Sequence, residues 1–162
     1  MALAYVARFA TSAAKLEGYL RRKLRERGWE GEEEPPVAAT VARYVALGYV
    51  DDAAFAKAKT GSLLRRGYGA RRIGQALSAA GIAEEVRDEV RAGAAEQRQA
   101  ALALARKRRF GPFGESPADR AAREKQVAAM LRAGHPLDFA RVLVDAASID
   151  QAEDWAAMNE DD

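Results

Sequence analysis

Apolar residues recur along this chain at the spacing of amphipathic helices. Leu20 and Leu24 are four residues apart, as are Ile73 and Leu77, so each pair lies on one helical face, one turn apart. Ala, Leu, Arg and Glu dominate the composition, and the chain has only five prolines. These features favour helix over strand throughout. The pattern predicts an all-α protein.

Three glycines divide this pattern into units of equal length. The interval is 53 residues from Gly28 to Gly81 and again from Gly81 to Gly134. A constant interval of this kind is typical of repeat proteins, in which each unit packs against its neighbours. Each glycine suits the end of a helix, because glycine readily adopts a left-handed backbone conformation.

The residue after each repeat glycine is expected to fold back against the last helical turn. Trp29 and Ile82 suit this contact, whereas His135, which is followed by Pro136, suits it less well. Gln126 also interrupts the apolar face of the third unit. We therefore expect the third unit to be the most diverged.

Each period has room for three helices of ordinary length with short connections. We expect Ser12 to cap the second helix of the first unit, Asp51 and Asp52 to cap the first helix of the next unit, and Ser116 with Pro117 to begin a helix in the third. The predicted helices are 2–10, 13–27, 36–47, 51–66, 70–80, 84–92, 95–109, 117–133 and 137–147.

These helices predict three tandem three-helix repeats that form an elongated, curved, solenoid-like array. A three-helix unit of this size buries only a small core by itself, so neighbouring units must pack end to end. The predicted repeats are 1–48, 49–93 and 94–147, followed by an acidic C-terminal tail at 148–162.

Charge is distributed unevenly along the chain. All 26 Lys and Arg residues and 17 of the 24 Asp and Glu residues precede residue 145, so this body carries +9 and residues 145–162 carry −7. A basic body favours a polyanionic partner or an acidic protein surface, although solvated helices rich in Arg would have the same composition. We expect the tail to be a disordered end that only solubilises the chain; the alternatives are that it partly screens the basic face, or that Trp155 and Met158 dock a short helix.

Basic residues cluster once in each unit, on or shortly before its second helix. If the units stack, the clusters can form one positive stripe that faces acidic or phosphate groups, and simple solvation explains them equally well. The candidate partner-binding residues are Arg21, Arg22, Arg25, Arg65, Arg66, Arg71, Arg72, Arg106, Lys107, Arg108 and Arg109.

The sequence contains no pattern typical of catalysis or of cofactor binding. It has no cysteine and a single histidine, His135, for which we expect a packing or surface role. Two carboxylate pairs, Asp51 with Asp52 and Glu84 with Glu85, do not suit acid–base catalysis, because adjacent helical residues point in different directions. Both pairs fall at predicted helix starts, where negative charge interacts favourably with the helix dipole. No phosphate-binding loop motif is present. We therefore expect a protein that is not an enzyme and uses no cofactor, metal or small-molecule substrate.

Aromatic residues fall mainly at helix faces and helix ends. We expect them to be core residues, and stacking on nucleic-acid bases is the alternative. They are Tyr5, Phe9, Tyr19, Tyr44, Tyr49, Phe55 and Tyr68. Since residues 1–9 are too short to span a bilayer and cysteine is absent, we expect no membrane association and a cytoplasmic location.

Residues 44–82, YVALGYVDDAAFAKAKTGSLLRRGYGARRIGQALSAAGI, carry a specific combination of residues in order and spacing. Its members are Gly48, Tyr49, Asp51, Asp52, Phe55, Arg66, Gly67, Tyr68, Arg71, Arg72, Ile73, Leu77, Gly81 and Ile82. This segment closely resembles the central repeat of the RecX family of bacterial recombinase regulators. ALAYVARFATSAAKLEGYLRRKLRERGW and REKQVAAMLRAGHPLDFARVLVDAA resemble the first and third repeats of that family.

The resemblance implies a protein that binds the RecA filament on DNA and restrains its ATPase and strand-exchange activities in recombination, DNA repair and the SOS response. It also implies a monomer whose own binding to single- or double-stranded DNA is weak. The alternative function is a stand-alone helical module that binds nucleic acid. The residues expected to define the structural motif are Gly28, Gly81, Gly134, Tyr49, Asp51, Asp52, Phe55, Ile73 and Leu77.

Overall fold

The computed structural model describes residues 1–158, and within that range the chain is all-helical, as the sequence predicts. Six of the ten described helices begin at a capping side chain or just after a proline, and six end at or near a glycine. The helices are α1 (Ala2–Arg8), α2 (Ala13–Arg27), α3 (Val37–Ala46), α4 (Asp52–Arg65), α5 (Ala70–Ala79), α6 (Glu84–Glu89), α7 (Ala94–Arg108), α8 (Arg120–Arg132), α9 (Leu137–Val144) and α10 (Ile149–Ala157). A short 3-10 turn, Gly111–Phe113, lies between α7 and α8.

The described chain forms two compact units, which differ from the three predicted repeats and are called unit 1 and unit 2 below. Unit 1 comprises Met1–Ala58 and Leu77–Val90, and unit 2 comprises Lys59–Ala76 and the chain from Arg91 onward. The division falls within α4 and within α5. The predicted boundaries of the three repeats, at 48, 93 and 147, remain a prediction.

The capping signals differ in how well they locate helix ends. Ser12 caps α2 as expected, since its hydroxyl accepts a hydrogen bond from the Lys15 amide at 3.2 Å. Ser116 with Pro117 was the wrong choice for α8, because Asp119 is the cap and accepts from the Ala122 amide at 2.8 Å. Helix α8 therefore begins three residues later than predicted.

The two aspartates at the start of α4 accept different hydrogen bonds. Asp51 accepts a hydrogen bond from the Ala54 amide at 3.0 Å, as a cap does. Asp52 instead accepts from the Ala13 amide at 2.8 Å, at the start of α2. The prediction that Asp52 caps its own helix is therefore wrong, and its carboxylate ties two helices of unit 1 together.

The core of unit 1 lies where α2 packs against α1 and α3. Leu16 and Leu20 of α2 are one turn apart and are both buried, Leu16 completely. They meet Val37 and Val41 of α3, which have the same spacing and are also buried. Four apolar side chains at helical spacing therefore account for this packing.

The core of unit 2 is formed by α7, α8 and α9, with α10 packed on α7. Met130 of α8 and Leu143 of α9 are fully buried. Small side chains such as Ala101 and Ala105 let the neighbouring helices approach α7 closely. Gln126, which interrupts the apolar pattern of α8, uses its Oε1 to accept a hydrogen bond from the Gly111 amide at 2.9 Å.

The acidic segment after α9 is not the disordered end that we expected. Residues Ile149–Ala157 form α10, capped by Ser148. Ala152 and Ala156 are buried, and the ring of Trp155 lies edge-on to Phe139 at 5.0 Å between centroids. The alternative prediction of a docked helix is confirmed for Trp155, whereas Met158 is exposed. Glu160, Asp161 and Asp162, which contribute to the tail charge, lie outside the described residues.

The turns after two repeat glycines have the same backbone pattern. Gly81 and Gly134 both have positive φ, and the amides of Ile82 and His135 bond to the carbonyls of Leu77 and Met130, five residues back. Ile82 and His135 are buried by this return of the chain. The arrangement is the Schellman ending of a helix.

The first repeat departs from this arrangement. Gly28 has positive φ, but its amide bonds to Leu24 at 2.9 Å and Trp29 stays half exposed. The indole Nε1 of Trp29 donates to the Glu33 carbonyl at 2.6 Å. The expectation that Trp29 packs on the last turn of α2 is therefore wrong, because the indole turns toward the loop that follows it.

Candidate functional site

Four arginines of unit 2 surround the connection between α4 and α5. We call residues 65–72, RRGYGARR, the arginine loop. Arg65 is the last residue of α4, and Arg71 and Arg72 lie in the first turn of α5. All four arginines are exposed, while Gly67 and Gly69 are buried. The loop therefore directs its cationic groups to solvent above a backbone that is covered by protein.

The backbone of the arginine loop is tightly constrained from below. Gly67 has a φ of 88°, and the Tyr68 amide bonds back to the Leu63 carbonyl at 3.0 Å. A Cβ atom at Gly67 would lie 3.0 Å from the Cβ of Leu104 in α7. Glycine is required at this position, because other residues would combine a strained backbone with a close contact.

The turn between α8 and α9 holds the arginine loop from a second side. The Gly69 amide donates to the Ala133 carbonyl at 2.8 Å, and the Arg71 amide donates to the Gly134 carbonyl at 3.2 Å. A Cβ atom at Gly69 would lie 2.4 Å from the carbonyl carbon of Gly134. The two backbones are therefore in direct contact, and no side chain fits between them.

His135 supplies a third link between this turn and the loop. Its Nε2 lies 2.7 Å from the Gly67 carbonyl oxygen, and the residue is buried. Because a carbonyl only accepts, Nε2 must carry the proton. Burial lowers the pKa of His135, and the hydrogen bond to Gly67 opposes that shift. The ring is therefore neutral, and the packing role expected for this histidine is its role here.

Two guanidinium groups of the loop lie close to one aromatic ring. The guanidinium carbons of Arg66 and Arg72 are 5.1 Å and 5.9 Å from the centroid of Tyr68, within cation–π range. No carboxylate of the described residues lies within 4.0 Å of the nitrogen atoms of Arg65, Arg66, Arg71 or Arg72. These groups are therefore concentrated on one small surface without internal neutralisation.

The first basic cluster, in unit 1, has internal acidic partners. Arg21 pairs with Glu17 at 2.8 Å, and Arg22 lies 3.8 Å from Glu26. Arg25 is exposed. At least two of the three candidate residues in this cluster are therefore partly neutralised within α2.

The third cluster, at the end of α7, is partly neutralised as well. Arg106 pairs with Glu153 of α10, and Arg109 pairs with Glu115 at 2.9 Å. Arg108 lies 5.5 Å from the ring centroid of Phe110, and Lys107 is exposed. A partner would have to compete with Glu153 and Glu115 for two of these four side chains.

The remaining motif residues mainly support the backbone. Ile73 and Leu77 of α5 are buried. Phe55 is half-buried, with the Lys15 ammonium 5.4 Å from its ring centroid. The expectation that the aromatics are core residues is wrong for Phe9 and Tyr49, which are more than half exposed. The ring of Tyr49 packs edge-on to Tyr44 at the surface.

No sequence pattern indicated which residues position the arginine loop. Ala133, Gly134 and His135 lie more than sixty residues after Gly67 and Gly69 along the chain. The 53-residue glycine interval points to Gly134 as a helix end and says nothing of its contact with the loop. Among the described residues, no group of His, Cys, Asp or Glu is arranged to hold a metal ion, and no helix is long and apolar enough to cross a membrane.

The fold and this site define an all-helical protein of repeated helix–turn units with an exposed cationic loop. A family model described as the second three-helix domain of RecX matches residues 51–90, which include that loop. The regulatory protein RecX of Myxococcus xanthus is 34% identical over 154 residues, covering 90% of this chain and 82% of that protein. The chain belongs to the RecX family.

Two further relatives carry the same name. The regulatory protein RecX of Halorhodospira halophila is 34% identical over 131 residues, covering 81% of this chain and 78% of that protein. That of Thermus thermophilus is 40% identical over 89 residues, covering 55% of this chain and 59% of that protein. The family that the sequence resembles is therefore confirmed, and its members matched here are named as regulatory proteins.

Proposed function

We propose that this protein binds the RecA filament on DNA and restrains its ATP hydrolysis and strand exchange, in recombination and DNA repair. The observation that carries the proposal is the arginine loop, in which four exposed guanidinium groups stand on a backbone fixed by the turn at residues 133–135. A dense positive surface suits a large anionic assembly. The name shared by the relatives, regulatory protein, supports a regulatory role.

The proposed role is one of binding and involves no catalysis, cofactor or small-molecule substrate. Such a regulator acts by occupying sites that the filament needs, so it requires a broad contact surface and no reacting group. In this proposal the arginine loop makes the principal contact. Arg21, Arg22, Arg25 and residues 106–109 contribute where the partner's anionic groups replace Glu17, Glu26, Glu115 and Glu153 as ion-pair partners. A partner of this kind implies action in the cytoplasm.

The test is to add the protein to RecA assembled on single-stranded DNA and to follow ATP hydrolysis and co-sedimentation together. We expect the protein to sediment with the filament and to lower the rate of hydrolysis. The double variant R71Q/R72Q should inhibit less while keeping its helical circular dichroism. The matched control R120Q/R123Q removes the same charge from two exposed arginines of α8 that are not among the candidate binding residues, and it should inhibit nearly as well as the wild type. Unchanged hydrolysis together with no co-sedimentation of the wild type would contradict the proposal.

A further inference from the structure

Helices α2, α5 and α8, the second helices of the three predicted repeats, each end just before a repeat glycine. At the end of α5, the Ala80 carbonyl accepts a hydrogen bond at 2.5 Å from the Ser12 hydroxyl, which lies just before α2. At the end of α8, the Ala133 carbonyl accepts a hydrogen bond at 2.8 Å from the Gly69 amide, which lies just before α5. Because Ala80 and Ala133 are 53 residues apart, an equivalent contact occurs twice in the chain.

The glycines at these two helix ends lie directly against the first turn of the preceding second helix. A Cβ atom at Gly81 would overlap the side chain of Ala14 in α2. A Cβ atom at Gly134 would overlap the backbone of Arg72 in α5. Only glycine permits so close an approach. The start of one second helix therefore serves as a docking surface for the glycine end of the next.

The end of α2 has no such cover. A Cβ atom at Gly28 would meet no atom of the described chain within 4 Å. Trp29, which follows this glycine, is 51% exposed. The residues at the same place in the repeat, Ile82 and His135, are each only 3% exposed. The helix end that is buried in the two later repeats is therefore open in the first.

The start of α8 is open as well. Asp119, just before α8, is exposed, whereas Ser12 and Gly69, just before α2 and α5, are buried. Ala121 is also exposed. It lies two residues after the capping residue, as Ala14 does in α2, so a small side chain is present where a glycine would approach. The chain thus has one uncovered helix end and one uncovered docking surface of the kind that receives it.

A cleft beside the start of α8 has room for the indole of Trp29. Its volume is about 460 Å³, and it is lined mainly by residues 114–118 and by the connection from α9 to α10. In the contact within the chain, His135 reaches the carbonyl of Gly67, two residues before the start of α5 is capped. The residue at that distance before the cap of α8 is Pro117, which lines the cleft. An exposed indole would bury a large apolar surface there.

Charge favours the same pairing. Arg27 lies 53 residues before Ala80, and Asp119 caps α8 as Ser12 caps α2. A guanidinium group would therefore meet a carboxylate where, within the chain, the Ala80 carbonyl meets the Ser12 hydroxyl. Both Arg27 and Asp119 are exposed, and neither forms an ion pair among the described residues.

We infer that copies of this chain dock on one another, with residues 27–29 of one copy on the start of α8 of another, and so continue the contact that Ala80 and Ala133 make within the chain. Because the two surfaces differ, a docked pair keeps one of each free and can add a further copy. A contact of this size is weak in dilute solution, and copies held side by side on one filament would form it more readily. Only that last step rests on the proposed function, since the contact itself involves this chain alone.

The first experiment is sedimentation velocity of the full chain over a range of concentrations up to ~1 mM. The test variant A121Q places a longer side chain where Gly28 must approach, and the control A42Q makes the same change at an exposed alanine of α3. We expect the average mass of the wild type and of A42Q to rise with concentration. Association of A121Q should be at least about tenfold weaker, because the added side chain prevents close packing. Circular dichroism and thermal melts of both variants should match the wild type, since both alanines are exposed.

The second experiment tests which surfaces meet. The chain contains no cysteine, so single cysteines can be introduced without a background reaction. R27C mixed with A121C, on chains of different tag length, should form a mixed disulfide-linked dimer under mild oxidation. The control mixture is A42C with A121C, which places one cysteine on α3, away from the end of α2. We expect several-fold more mixed dimer from the first mixture than from the second.

Three results would overturn the inference. The first is a wild type that remains a single chain throughout the concentration range, and the second is A121Q that associates as strongly as A42Q. The third is equal cross-linking in the two cysteine mixtures, which would indicate random collision. If the wild type stays a single chain while A121Q loses inhibition of RecA, the start of α8 contacts the filament and not a second copy. Filament regulation by the wild type is judged in the ATPase assay, so either proposal can fail alone.

Discussion

The ring nitrogen Nε2 of His135 lies 2.7 Å from the carbonyl oxygen of Gly67, and the two residues are 68 positions apart in the chain. Ser12 and Ala80 have the same separation and are also joined, with the Ser12 hydroxyl donating to the Ala80 carbonyl at 2.5 Å. Ser12 lies just before α2 and contacts the end of α5. Gly67 lies just before α5 and contacts the end of α8. Ser12 and Gly67 are 55 residues apart, as are Ala80 and His135, so the two contacts occupy similar but not identical positions relative to the 53-residue glycine interval.

The His135 contact predicts that stability falls on mild acidification. Burial lowers the pKa of His135 in the folded protein below its usual 6.5, so the unfolded chain binds a proton first as the pH decreases. The stabilisation that the neutral His135 ring provides is complete above the usual histidine pKa. It is lost progressively as the pH falls from there toward the lowered pKa of the folded state. Urea unfolding between about pH 7.5 and 5 measures this effect, since His135 is the single histidine of the chain.

The control for this prediction is H135Q, which keeps a side-chain N–H donor and cannot titrate in this range. The free energy of unfolding of H135Q should vary much less with pH over the same window. If the variant and the wild type lost stability in parallel, the proton would be taken up elsewhere, and the assignment to His135 would be wrong.

The contact between the α8–α9 turn and α5 predicts that Gly134 tolerates no side chain. Gly134 has a φ of 97°, and a Cβ atom there would lie 2.4 Å from the amide nitrogen of Arg72. We expect G134A to lower the free energy of unfolding by about 2 kcal/mol or more, because strain and a backbone clash combine. G74A, within α5 and with no atom near the added methyl group, should instead raise it by about 0.5–1 kcal/mol. Equal effects of the two substitutions would contradict the close contact at Gly134.

Ser12 is expected to contribute more than an ordinary helix cap. Its hydroxyl accepts from the Lys15 amide and donates to the buried Ala80 carbonyl, and the side chain is fully buried. S12A should therefore cost about 2–3 kcal/mol, the sum of a lost cap and an unsatisfied carbonyl. The exposed cap Ser148 bonds only to the Gln151 amide, and S148A should cost about 1 kcal/mol. Denaturant titrations of the two variants in parallel measure the difference, which should vanish if the Ser12–Ala80 bond does not form.

Local signals predict the helices well and the contacts between them poorly. Helix α2 was predicted at its observed bounds because Ser12 and Gly28 mark both ends. Helix α10 was predicted only as an alternative to a disordered end, because its surface is acidic and its buried face is built largely from Ala152 and Ala156, small residues that make a weak apolar pattern.

The sequence indicates which arginines are candidates for the site, but it does not indicate which of them have internal acidic partners. Arg66 and Arg72 share the ring of Tyr68, whereas Arg106 is paired with Glu153, which follows it by 47 residues. Ion pairs between residues so far apart in sequence depend on how the helices pack. In the sequence, a cluster of like charges has the same pattern whether its partners are internal or external. Only the folded chain distinguishes a neutralised cluster from an available one.

Glu153 allows the screening role expected of the acidic segment to be tested without disturbing the fold. Deleting the segment would remove the buried residues Ala152 and Ala156 and uncover the face of Phe139 that Trp155 contacts, so a deletion mixes loss of charge with loss of packing. E153Q removes one charge and releases Arg106, and both side chains are about half exposed, so stability should change by less than about 1 kcal/mol. If the segment screens the basic surface, E153Q should bind DNA more tightly at low salt and lose that advantage as salt rises. The matched control is D150N, which removes one charge from the first turn of α10 at a residue without a described ion pair. Equal affinities of E153Q, D150N and the wild type at low salt would rule out screening through Arg106.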